Sequence, residues 1–171
     1  MLSKTQAEVT VRTATAADAT ACGQICYDAF SGISAAHGFP CDFPGPEAGI
    51  GLLSMMFSTP GFYAVVAESE GRIVGSNVLA EQAVIQGVGP ITIDPGLQNA
   101  GVGRKLMQAV MDRASRNGAA GIRLVQAAFH NRSLSLYASL GFEIRAPFLS
   151  AGTNPRTKHH WIRGAIRTAG R

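Results

Sequence analysis

The segment Ile91-Thr-Ile-Asp-Pro-Gly-Leu-Gln-Asn-Ala-Gly-Val-Gly-Arg-Lys105 constrains this chain more than any other stretch. A β-branched run enters an Asp-Pro-Gly turn, crosses a loop with three glycines in eight residues, and continues into a helical pattern. Val102, Leu106, Ala109, Val110 and Ala114 recur at the spacing of one helix face, and Asn117-Gly118 closes the C-terminus. A strand feeding a helix through such a loop requires a sheet with helices packed on it.

Glycines there let backbone amides face one point, and amides at the positive end of a helix dipole form an anion site without side-chain charge. Each hydrogen bond to a charged acceptor is worth roughly 1.5–3 kcal/mol net, so three or four anchor a pyrophosphate. Arg104 and Lys105 add cations beside it, although in a first helical turn they oppose the dipole. A P-loop is excluded, because Gly96-x4-Gly101 is followed by Val102-Gly103 and not by Lys-Ser/Thr. A dinucleotide fingerprint is excluded too: Leu106 stands where its third glycine belongs, and no acid lies between Asp112 and Glu143. The competing explanation is that the glycines only permit a tight turn.

Elsewhere, alternation over residues 8–13 predicts a strand, and Thr15-Ala-Ala-Asp18 a capping box opening a helix through Phe30. The Pro/Gly-rich stretch His37 to Pro46 holds no regular element; Glu47 opens a second helix with Ile50, Leu53, Met56 and Phe57 inward. Phe62–Glu68 and Arg72–Leu79, joined by Ser69-Glu70-Gly71, read as a hairpin, with a third strand run over Gln82–Asp94. After the long helix, Gly121–Ala128 reads as a strand, Arg132–Leu140 as a short helix and Phe142–Phe148 as a last strand. Hairpins in the middle and crossovers at the end predict an α/β fold with a central mixed sheet and helices on both faces.

The length of 171 residues favours one domain, taken as 1–148, with 149–171 as a basic tail or edge strand. Arg145, Arg156, Lys158, Arg163, Arg167 and Arg171 crowd the end without an acid, while the rest of the chain is net −2. No run approaches the roughly 20 apolar residues of a membrane span, and the polar, alternating N-terminus argues against a secretory signal. A soluble, cytoplasmic protein without a membrane partner is expected. Cys22 and Cys26, four apart on a helix face, are expected as buried thiols, and no cluster supplies zinc ligands, so no metal is expected.

A second motif lies about 30 residues beyond the glycine loop: Asn131-Arg-Ser-Leu-Ser-Leu-Tyr137-Ala-Ser-Leu-Gly141-Phe142. Together with Gln98-Asn-Ala-Gly101-Val-Gly103 it resembles the paired signatures of the GNAT superfamily of N-acetyltransferases. The resemblance implies a splayed sheet with the arm of acetyl-CoA in the gap, so that the strand Ile91-Thr92-Ile93 presents backbone groups to it. It further implies that Gln98, Asn99, Ala100, Gly101, Val102, Gly103 and Arg104 hold pyrophosphate, and that Asn131 contacts the cofactor from the other side. Gly87 and Gly89 are consistent with the strand bulge found in that family.

Acyl transfer to an amine needs a neutral nucleophile, a stabilised oxyanion and a proton for the departing thiolate. The resemblance assigns that proton to Tyr137, whose alternative role is a core tyrosine. The oxyanion is assigned, again by resemblance, to a strand amide near Ile91 to Ile93. Base candidates are Glu81, at the start of the third strand run, and His130, which titrates in the useful range; both also suit plain structural roles. The acceptor is expected to be a small-molecule or peptide amine, and the apolar surroundings of Phe39, Phe43, Phe62 and Tyr63 point to a non-acidic, partly hydrophobic pocket. Two competing functions are a non-catalytic acyl-CoA-binding module and, less expected, nucleic-acid binding through the tail; a homodimer is left open.

Overall fold

The computed structural model describes residues 8–97 and 101–146. In chain order the elements are β1 (Val9–Thr13), a 3-10 turn (Ala16–Asp18), α1 (Ala19–Ala36), α2 (Pro46–Ser58), β2 (Phe62–Ser69), β3 (Arg72–Ala80), β4 (Ile85–Val88), β5 (Thr92–Ile93), a second 3-10 turn (Pro95–Leu97), α3 (Val102–Arg116), β6 (Gly121–Arg123) and α4 (Asn131–Ser139). Gln98, Asn99 and Ala100, Phe148 and the basic tail 149–171 lie outside the described residues. No helix among the described residues is long and apolar enough to cross a membrane.

The sheet runs β1-β2-β3-β4-β6, with β5 also on β3. Every pairing is antiparallel except β4 with β6, which a crossover through α3 makes parallel. Alternation along the strands sends side chains to two cores. Ala64, Val66 and Val78 meet Cys22, Cys26 and Leu53 of α1 and α2, whereas Val65, Ala67 and Leu79 meet Leu106, Met107 and Val110 of α3. Burying each such Val, Leu or Met stabilises the fold by about 1.5–3 kcal/mol. A register skip at Ala67/Glu68 leaves Val74 unpaired and turns it onto the α3 side, where regular alternation would have set it with Val78.

Local chemistry accounts for the helix positions. The Asp18 carboxylate accepts from Thr15 N and Oγ1 at 2.7 and 2.9 Å, completing the expected capping box, and from both guanidinium nitrogens of Arg12 at 2.8 Å each. Helices α1 and α2 cross in backbone contact, because a Cβ on Gly23 would stand 2.3 Å from Ile50 Cα and one on Gly49 2.6 Å from Gly23 O.

Four expectations are corrected. Helix α1 continues past Phe30 to Ala36, since nothing breaks it before Gly38 at φ +71°. The run Gln82–Asp94 divides into β4 and β5. The strand expected over Gly121–Ala128 ends at Arg123, where pairing with β4 ends, and Phe142–Ala146 forms no strand. A β-rich sequence becomes a strand only where a neighbouring edge is in reach, and local composition does not carry that information.

Candidate active site

The division between β4 and β5 shapes the candidate site. Leu79 pairs with Val88, and Gly89 N donates to Val78 O at 2.8 Å; the next pairs are Ser76 with Thr92 and Gly75 with Ile93. Pro90 and Ile91 therefore both stand opposite Asn77, which makes a bulge at Gly89 (φ +125°). Strand β6 follows β4 only as far as Gly87–Arg123. Beyond the bulge β5 stays on β3 while residues 124–128 pair with no strand among the described residues, so β4 and β5 part there. Asp94 N donates to Val74 O at 2.9 Å, which fixes the phase: residues 92 and 94 bond towards β3, and the main-chain groups of Ile91 and Ile93 turn to the open side.

Helix α3 begins beside this edge. The described part of the loop is ordered by Asp94, whose Oδ1 accepts from Gly96 N at 2.9 Å while its Oδ2 meets Arg72 at 3.0 Å. Gly101 is the N-cap at φ +77° and gives no side-chain cap, so the first amides of α3 have no intrahelical acceptor. Gly103 is buried, and a Cβ there would approach Ile93 Cδ1 and Leu136 Cδ2 at 3.0 Å each. The open strand and helix α4 thus meet at Gly103, where a side chain would press on the tips of Ile93 and Leu136. Val102 is packed in the α3 core, whereas the Arg104 guanidinium donates to Ser139 Oγ at 2.6 Å and Lys105 Nζ to Val9 O at 2.7 Å. Both cations tie the start of α3 to its neighbours.

The remaining candidates separate by location. Tyr137, on α4, is 7% exposed, and burial pushes its phenol up to about 12. Asn131 opens α4 and is exposed. His130 is the N-cap of α4: Nδ1 accepts from Ser133 N at 3.2 Å and contacts Ser133 Oγ, and burial lowers the ring's pKa, aided by Arg132 and His37. Glu81 accepts from Arg113 Nε at 2.7 Å and Asn117 Nδ2 at 2.6 Å, and Arg113 holds its carboxyl below the usual range. These partners sit at the C-terminal end of α3, about 18 Å along the axis from Gly101. Ile91, Ile93 and Tyr137 share the core on the α3 side, Gly103 meets Ile93 and Leu136, and Arg104 reaches Ser139 of α4, whereas Thr92 turns to Ser76 on β3 and Glu81 lies apart.

Sequence reasoning missed an aromatic contact across the splay. Phe129, just before α4, stacks with His37 (4.9 Å between centroids) and Phe39 (4.7 Å, 11° between planes) beyond the end of α1. It also missed Asn77, wholly buried opposite the bulge, whose Oδ1 accepts from Val78 N at 2.9 Å. Neither has a periodic signal, because both depend on which segments the fold brings together.

A bulged, splayed sheet with a glycine-capped helix at its open edge defines an acetyltransferase fold. A family model of the acetyltransferase (GNAT) domain matches residues 60–144, and the chain belongs to the GNAT superfamily. Similar solved structures include a mutant of the protein BH1408 from Bacillus halodurans, at a TM-score of 0.72 and 15% identity over 85% of this chain and 99% of that one. The aminoglycoside N-acetyltransferase AAC(6')-Iy in complex with CoA aligns at 0.68 and 13%, over 89% of this chain and 99% of that one. An aminoglycoside acetyltransferase from an uncultured soil metagenomic sample, in complex with sisomicin, aligns at 0.62 and 18%, over 85% and 97%. At these identities the likeness is one of fold. No curated protein matches the sequence.

Proposed function

We propose that the chain transfers an acetyl group from acetyl-CoA directly to a primary amine of a small molecule or peptide. The observation that carries this reading is the convergence on Gly103 of uncapped α3 amides and the outward-turned main chain of Ile91 and Ile93. Such a cradle fits a diphosphate joined to an amide-bearing arm. The neighbours solved with CoA and with sisomicin are acetyltransferases, which supports the same donor and an amine acceptor here.

Acetyl-CoA supplies the acyl group as an activated thioester. The amides from Gln98 through Arg104 would hold its diphosphate, Asn131 would contact it from α4, and the outward main chain of Ile91 and Ile93 would line its arm, with Thr92 between them anchored on β3. Tyr137 keeps its proton at neutral pH and would donate a hydrogen bond to the departing thiolate, which would then take its proton from solvent. A primary amine near pKa 10 is mostly protonated at pH 7, and we assign its deprotonation to water in the splay. Glu81 is committed to Arg113, and the His130 ring nitrogen to the cap of α4.

Calorimetry with acetyl-CoA, followed by thiol release across an amine panel, tests this. Binding with acceptor-dependent thiol release is expected. Absence of heat refutes the cradle; heat without thiol release for any amine reduces the chain to a binding module.

A further inference from the structure

We infer that the acceptor is a monoamine carried on an aromatic group, seated on the Phe39–Phe129 stack; this rests on the acetyl-transfer reading above. Residues 124–130 form the lip of the splay opposite β5, and α1, which packs beneath β5, ends at the other side of the same gap. The His37, Phe129 and Phe39 rings join these two lips. Phe39 is stacked on one side yet 54% exposed, so an aromatic face remains open at the mouth. An aryl group gains on such a face by stacking and by apolar burial together.

Charge argues for the same class. Between His37 and Gly45 the sole carboxylate is Asp42, and between Leu124 and His130 there is none. A polyamine or an aminoglycoside carries several ammonium groups, each needing acceptors to offset desolvation. This mouth has few to give. Across these two segments Asp42 is the one carboxylate, which matches a single ammonium group.

The full chain with acetyl-CoA is assayed for thiol release with 2-phenylethylamine, spermidine and sisomicin. The arylalkylamine is expected to exceed both polycations in kcat/KM by about tenfold or more. Phe39→Ala is expected to raise KM for 2-phenylethylamine about fivefold and to leave KM for acetyl-CoA within about twofold; Phe39→Leu, which keeps most of the volume, loses the stack alone. Preference for a polycation, or unchanged KM in both variants, overturns the inference. Where no acceptor turns over, saturation-transfer NMR of 2-phenylethylamine on the acetyl-CoA-loaded chain decides separately. Transfer lost in Phe39→Ala supports the aromatic seat while refuting catalysis, and no transfer refutes the seat.

Discussion

Burial holds the Tyr137 phenol near 12 and so keeps it a donor throughout the neutral range. Full transfer of its proton to an alkyl thiolate of pKa about 8.5 is uphill by roughly 5 kcal/mol, which makes hydrogen-bond donation during bond cleavage the stronger contribution. Tyr137→Phe is expected to lower kcat about tenfold to a hundredfold with acetyl-CoA affinity unchanged; equal turnover at saturation removes Tyr137 from the chemistry. Gly103→Ala puts a methyl 3.0 Å from Ile93 and Leu136. Overpacking of that kind costs about 1–3 kcal/mol, so the thermal midpoint should fall by several degrees and acetyl-CoA should bind more weakly. Glu81→Gln weakens a half-exposed clasp, and we expect a loss below about 1 kcal/mol with kcat within twofold. A flattened pH–rate profile in that variant would restore Glu81 as the base.

Among the elements, α4 depends most on pH. Its cap is neutral His130 accepting from Ser133, and the folded pKa lies below the unfolded value of about 6.5. The folded state therefore binds fewer protons, and the cap's stabilisation is full above that value and lost as pH falls through the folded pKa. Melting curves at pH 7.5 and 5.5 should show a larger acid loss for the wild type than for His130→Asn, which caps without titrating. Equal losses would place the acid sensitivity elsewhere. Elements with their own periodicity, α3 above all, were legible within two residues, and so was the capping box before α1. Residues 124–128 were not, since Leu124-Val125 looks like strand and only the divergence after Gly87–Arg123 takes it off the β4 edge.

At the scale of the molecule, Arg12 and Asp18 join β1 to the start of α1, and Arg12 holds the Asp18 carboxyl far below its ordinary range. That stabilisation is present above about pH 3.9 and is lost as pH falls towards the lower folded value. Asp18→Asn should accordingly cost stability at pH 7 and almost none in strong acid, as read by denaturant titration. Acetyl-CoA at a hundredfold its Kd should stabilise the fold by about 2.7 kcal/mol, visible as a raised thermal midpoint. The three long helices, the central hairpin, the two glycine-bearing motifs and the phase of α3 were determined by the sequence alone, because helix spacing, capping and the conformational freedom of glycine are local properties. The tertiary structure alone decided that Glu81 braces α3, that His130 caps α4 and that Phe129 meets Phe39. A side chain's partner depends on which distant segments pack beside it, and pairing at that range leaves no mark on the residues next to it in the chain.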